Sequence, residues 1–297
     1  MKTKYMDWKP QCANKLLLIE ANRILSSYDD QGYTMTIRQL FYQLAGEGKC
    51  NNSSADYHKV GQVCEKGRKS GQMDWAMIVD ATREYRENVH FSSPASALYY
   101  LTQRYATNTR LTQPTYLECW FEKEALSEIF GKICDELDVG WMACKGNTSL
   151  TSIYDACINR FQVELTKGKN VVVLYAGDMD PSGVDMGRDL QERCNFYLAP
   201  NTISLNRIAL NRSQLSKYIP NFANIQNWIK AKENDSKLKK YVQKYGDDKC
   251  WELDVLSPTQ LHEIVKTAVD EYTDQTKLNK AIKRQKEERK KLKGLKL

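Results

Sequence analysis

The stretch VVVLYAGDMDPSG, residues 171 to 183, decides the fold. Its first six residues are apolar and rich in β-branched side chains, the make-up of a strand buried on both faces. Two aspartates flanking Met179 and a Pro-Ser-Gly turn follow. The strand therefore delivers carboxylates to its carboxyl end, where open α/β sheets bind ligands. Asp178 and Asp180 are two residues apart, so in extended backbone both side chains leave on the same side and can share one hard cation, magnesium or manganese. Two other readings fit the same letters. Asp178, Asp180, Ser182, Gly183 and Asp189 fall at the first, third, fifth, sixth and twelfth places of a calcium loop, although such a loop is entered from a helix and a strand stands here. A plain strand-to-helix turn, its acids complementing the helix dipole, is the third.

Outward from this strand, segments alternate. TYLECWF (115 to 121) reads as a strand, then a helix from Glu122 to Leu137, a strand near Gly140 to Cys144 and a helix from Ser149 to Phe161. After the strand at 170 to 176 come a helix from Ser182 to Cys194, the strand TISLNRIAL (202 to 210), a short strand WELDVL (251 to 256) and a helix from Pro258 to Tyr272. This alternation predicts an α/β fold, a mostly parallel sheet with helices on both faces. Upstream, helical spacing runs from Cys12 to Tyr28, Thr36 offers an N-cap to TIRQLFYQLAGEG, a third helix spans Ser54 to Ser70, and WAMIVD (75 to 80) reads as a strand. Three helices and a short β element are the outline of a winged helix, a module that often binds DNA, and equally of a helical cap without a ligand. The organisation expected is a front domain over 1 to 110, an α/β domain over 111 to 276 and a basic tail over 277 to 297.

Charge supports that division. The net charge is +7, but the tail from Lys277 holds ten Lys/Arg against Glu287 and Glu288, so the rest of the chain is nearly balanced. Residues 1 to 110 are mildly basic and 111 to 276 acidic, as suits a phosphate-binding module beside a metal-binding one. No apolar stretch approaches the roughly 20 residues of a membrane span, and MKTKYMDWKP lacks a signal core, which predicts a cytoplasmic protein with no membrane partner. Nine cysteines without a Cys-x-x-Cys pair, and histidines scattered at 58, 90 and 262, argue against a zinc site or a disulfide framework.

Two constellations carry chemistry. Glu122 ends the TYLECWF strand as Asp178 ends its own, so neighbouring strands would bring Glu122, Asp178 and Asp180 together, a set that repels itself unless a cation or a proton compensates. Glu122 could equally be a first-turn helix acid paired with Lys123. In the front domain Ile37, Leu40, Phe41 and Leu44 form a buried stripe, and about 100° per residue puts Arg38 and Tyr42 together on its flank. There a guanidinium can reach a phosphate near the phenol oxygen, which can attack a phosphodiester. Ionising an ordinary tyrosine at pH 7 costs roughly 4 kcal/mol, which a nearby cation would lower. The bland reading of Tyr42 is an exposed aromatic resting on Arg38. Arg83 is a further candidate for a DNA phosphate, and Glu252 and Asp254, also two apart, could support a second cation or its outer shell.

These residues resemble a family. TIRQLFYQL is similar to the active-site helix of the topoisomerase VI A subunit and the meiotic double-strand-break protein, in which an arginine precedes the nucleophilic tyrosine by four residues. FEKEAL resembles their Glu-Lys Toprim motif and GDMDPSG their Asp-x-Asp-Pro-x-Gly motif, in the same order, over a span from about 30 to 256 that is most like the short stand-alone mini-A relatives of phages and mobile elements. The resemblance implies an N-terminal winged helix followed by a Toprim sheet, with Tyr42 as nucleophile, Arg38 as its phosphate partner, and Glu122, Asp178 and Asp180 holding magnesium. It also implies double-stranded DNA as substrate and a homodimer in which one subunit's tyrosine works with the other's metal. There is no Gly-x-x-x-x-Gly-Lys loop, so ATP-driven strand passage would need a separate ATPase chain. A related branch, the nuclease subunit of a plasmid-defence system, hydrolyses DNA with metal and water. Three outcomes stay open: a tyrosyl-DNA link, hydrolysis by activated water, or a DNA-binding module whose acids are structural.

Overall fold

The computed structural model describes residues 2–79, 88–145, 148–218 and 229–294. Three front helices, α1 (Cys12–Asp29), α2 (Ile37–Gly46) and α3 (Ser54–Lys69), are followed by α4 (Pro94–Arg104). The α/β part then runs β1 (Thr115–Phe121), α5 (Ser127–Leu137), β2 (Gly140–Ala143), two short helices α6 (Leu150–Asp155) and α7 (Gln162–Thr166) joined by a π turn, and β3 (Asn170–Ala176). It continues through α8 (Pro181–Tyr197), β4 (Ile203–Ala209), α9 (Arg212–Tyr218), β5 (Ile229–Lys230), α10 (Leu238–Tyr245), β6 (Lys249–Cys250), α11 (Pro258–Glu271) and α12 (Gln275–Lys293). Among the described residues no helix is long and apolar enough to cross a membrane.

β1 to β4 form one parallel sheet in the order β2-β1-β3-β4, as the alternation predicts. Side-chain parity sorts it into two faces. Leu117, Cys119, Phe121, Val172, Leu174 and Ala176 point to a core shared with α5 and α11, while Trp120, Val171, Val173 and Tyr175 pack against α8 and the α6–α7 segment. Glu118 is buried on the second face but fully engaged, accepting from Arg160 Nε at 2.6 Å, Tyr116 OH at 2.8 Å and Trp120 Nε1 at 2.8 Å. Its charge is compensated, which marks it as structural.

The front helices join the first of those cores: one apolar cluster runs from Leu17 and Leu40 through Phe121 to Val269. No gap in packing marks residue 110. Thr36 caps α2 as expected and, with Gln39, forms a full capping box, Thr36 Oγ1 accepting from Gln39 N at 3.2 Å and Gln39 Oε1 from Thr36 N at 2.7 Å. Leu40, Phe41 and Leu44 are buried and Ile37 is half-buried against the same core.

Two expected strands are corrected. WAMIVD supplies only a single parallel bridge, Ile78 to Met35, because Thr36 turns its partner strand into α2 one residue later. No wing strand follows among the described residues, and Arg83 lies outside them. WELDVL is likewise not a strand: Trp251 makes one antiparallel bridge to Met179, and Leu253–Val255 winds into a 3-10 turn. The helix expected to begin at Glu122 begins instead with a 3-10 turn at Glu124, so Glu122 lies in the bend between β1 and that turn. Beyond Asp274 the basic tail is the exposed helix α12.

Replacing Thr36 with Ala removes one of the two capping bonds of α2, and we expect a loss of about 1 kcal/mol. The urea midpoint should fall with an unchanged slope.

Candidate metal centre

Three chain segments meet at the carboxyl end of the sheet. β1 and β3 are neighbours in register, Phe121 opposite Ala176, and Glu122 N continues the ladder by donating to Ala176 O at 2.9 Å. The third segment arrives through the Met179–Trp251 bridge, with Met179 N to Trp251 O at 2.8 Å and the reciprocal bond at 3.0 Å. In an antiparallel pair the residues flanking the bridge face each other, so Asp178 looks onto Glu252.

The loop between Ala176 and α8 is held from below by Arg207 of β4. Its guanidinium donates to Gly183 O at 2.7 Å, Gly177 O at 2.9 Å, Asp178 O at 2.6 Å and Leu210 O at 3.1 Å. Two glycines make the loop possible. A Cβ on Gly177 would run into the hydroxyl of Tyr175, and one on Gly183 into the carbonyl oxygen of Asp178. Glu122 Oε2 stands 3.0 Å from either missing Cβ.

Glu122, Asp178 and Asp180 all arrive at this end, but they divide. Glu122 Oε2 accepts from Asp178 N at 3.0 Å and Asp180 Oδ1 from Gly183 N at 2.5 Å, as the N-cap of α8. Both oxygens lie 3.0 Å from the missing Cβ of Gly183, so they can be no further apart than twice that distance. The carboxylate of Asp178 belongs to a different group: its Oδ1 accepts from Leu253 N at 2.7 Å. Asp178, Glu252 and Asp254 have ligand atoms within 4.8 Å of one another, a set that could hold a metal ion. Thus Glu252 and Asp254, read from sequence as support for a second cation or its outer shell, stand beside Asp178.

Lys123 sits among these three. Its Nζ lies 2.6 Å from Asp254 Oδ2 and 3.3 Å from Asp178 Oδ1, and it also donates to Glu252. Glu122 and Lys123 do not pair with each other: Glu122 accepts from Asp178 N, while Lys123 turns to Asp178, Glu252 and Asp254.

Tyr42 and Arg38 come to the same place within one chain. α2 is tied down by Gln39 Nε2 to Ala125 O at 3.1 Å and Gln43 Nε2 to Asp254 O at 2.7 Å. Tyr42 is half-buried with the Lys123 ammonium 5.0 Å from its ring centroid. It does not rest on Arg38, which is exposed with its guanidinium 5.9 Å from the ring of Tyr57. Beside the acids opens a cavity of about 270 Å³ bordered by Asp178, Asp180, Ser182, Lys230, Asp235 and Glu252.

Electrostatics follow from burial. Desolvation holds Glu122, Asp178 and Asp180 above the usual carboxylate range, although each accepts a backbone N–H that opposes the shift. Glu252 goes the other way: burial works against its charge, but Lys123 outweighs it. Lys123 mirrors this, since burial disfavours the ammonium while Asp254, Asp178 and Glu252 together raise its proton affinity. The phenol of Tyr42 is pushed up to about 12 by burial and Glu252, against Lys123 and Arg38.

Lys123, Gln39, Gln43 and Arg207 were not singled out by sequence reasoning. A signal existed for Arg207, a charged residue inside an otherwise half-buried strand. Comparison with family models, curated proteins and solved structures gives no match.

The raised carboxyls define a pH dependence. A folded-state pKa above the unfolded value contributes stability that is complete below about pH 4 and is lost as pH rises through the folded value. At neutral pH these charges therefore oppose folding, and a divalent ion that replaces their protons relieves them. The rise in melting temperature caused by Mg²⁺ or Mn²⁺ should be larger at about pH 7.5 than at about pH 5, with protons released on binding. Thermal-shift curves and calorimetry in buffers of different ionisation enthalpy check both; an equal shift at both pH values would count against a carboxylate site.

Proposed function

We propose that this chain cleaves the backbone of double-stranded DNA in a reaction that depends on a divalent metal, magnesium or manganese, with Tyr42 as nucleophile. The observation that carries the reading is that one ammonium, Lys123, touches both the ring of Tyr42 and the acids Asp178, Glu252 and Asp254. Tyrosine and carboxylates thus belong to one site. The helix bearing Tyr42, the strand ends bearing the acids and the resemblance of TIRQLFYQL, FEKEAL and GDMDPSG to the topoisomerase VI A family all point the same way. On this reading the front helices and the sheet correspond to the winged-helix and Toprim parts of that family.

Each group has a role. Glu122 and Asp180, with Asp178 between the two groups, would hold the metal, which supplies charge neutralisation at the phosphate. Arg38, exposed four residues from Tyr42, would grip a phosphate bidentately and orient the bond to be broken. The phenol gives up its proton, attacks phosphorus and displaces a deoxyribose oxygen, leaving a tyrosyl-DNA phosphodiester that the departing hydroxyl can reverse. A homodimer would place two such sites on the two strands, and a separate ATPase chain would be needed for strand passage.

A second reading, hydrolysis by metal-activated water, is favoured by one observation. Tyr42 is half-buried and holds its proton up to about pH 12, which makes a free phenolate scarce near neutrality.

Y42F separates the two. Under the first it abolishes protein-linked DNA on a denaturing gel; under the second, Mg²⁺-dependent cutting continues without any adduct. D178N should reduce cutting at least about 100-fold in either case. Wild-type protein that binds duplex yet never cuts it with Mg²⁺ or Mn²⁺ would leave only a DNA-binding module.

A further inference from the structure

We propose that the ammonium of Lys123 is a built-in cation that takes the place of a second divalent ion, so that each chain holds one exchangeable ion, on the Glu122–Asp180 side. This rests on the metal-dependent reading above and assigns Lys123 a positioning role within it.

Of the three N–H donors of the ammonium, two go to Asp254 and Glu252, and Asp178 Oδ1 completes the ring of acids as an ion-pair contact at 3.3 Å. Ligand atoms within 4.8 Å of one another enclose room for one cation, so a divalent ion at their centre would coincide with Nζ. The ammonium is also hard to displace. The Lys123 side chain is only 20% exposed, Tyr42 covers it from the α2 side, and leaving would break three charge-assisted contacts at once among buried groups.

A separate observation shows what the place would accept without the lysine. Asp254 is 2% exposed and its Oδ1 has no hydrogen-bond partner among the described residues. A buried carboxylate oxygen left unpaired beside two other carboxylates is a donor set for a divalent ion, and the ammonium bonds only the other oxygen, Oδ2. Glu122 and Asp180 differ. Their oxygens accept backbone N–H groups and have no ion-pair partner among the described residues, which leaves that side dependent on a cation from solution.

The fixed charge also serves the tyrosine. Because it is tethered to the chain, it stays against the Tyr42 ring whether or not metal is present and keeps the phenol registered against the acids.

The test counts Mn²⁺ bound to the full-length chain by calorimetry and electron paramagnetic resonance. It also follows acylation of Lys123 by mass spectrometry with and without saturating Mn²⁺. We expect one Mn²⁺ per wild-type chain, with Lys123 protected in both conditions, one for K123R, and two for K123M. Two Mn²⁺ in the wild type, labelling of Lys123 when Mn²⁺ is added, or no second ion in a folded K123M would each overturn the proposal. If the wild type binds none while K123M gains one, the built-in cation stands and the proposed function falls. If K123M fails to fold, the wild-type count and labelling decide the matter.

Discussion

Three carboxylates buried within 4.8 Å of one another cannot remain charged without a cation, and the Lys123 ammonium meets that requirement. The rest of the site depends on this contact. Through it the segment just after β1, which carries Lys123, is bound to the loop after β3 and to the 3-10 turn at Leu253, segments far apart in sequence. It also sets where α2 can lie, since the tyrosine ring packs on the ammonium and Gln43 reaches the carbonyl of Asp254.

The sheet was legible because buried strands announce themselves. VVVLYA, TYLECWF and TISLNRIAL each appear within a residue of where hydrophobic runs and turn signals place them, and Thr36 caps α2 as its place ahead of the apolar stripe suggested. α4 was missed although Ser93-Pro94 is a helix-start signal, because its only buried residue is Thr102 and it shows no apolar stripe. The β5–α10–β6 segment escaped for a similar reason, being short and mostly polar.

In the site, the sequence left unread the second set of partners around Asp178. Two-residue spacing does send Asp178 and Asp180 to one end of the sheet, but Asp180 is engaged as the N-cap of α8, while the Met179–Trp251 bridge recruits Glu252 to Asp178. That bridge joins residues 72 positions apart, and no local pattern encodes it. WELDVL alternates as a half-buried strand should, yet Asp254 is turned inward by a 3-10 turn. Lys123 was closer to reach, since it directly follows Glu122 in FEKEAL, the segment already marked for its acid.

The continuous apolar cluster from Leu17 to Val269 has a mechanical consequence. With α2 rooted in the same core as the sheet, and further tied by Gln39 and Gln43, the tyrosine cannot swing away from the acids without opening the protein's interior. Among the described residues α2 and the sheet therefore behave as one piece, and separating them would expose the interior they share.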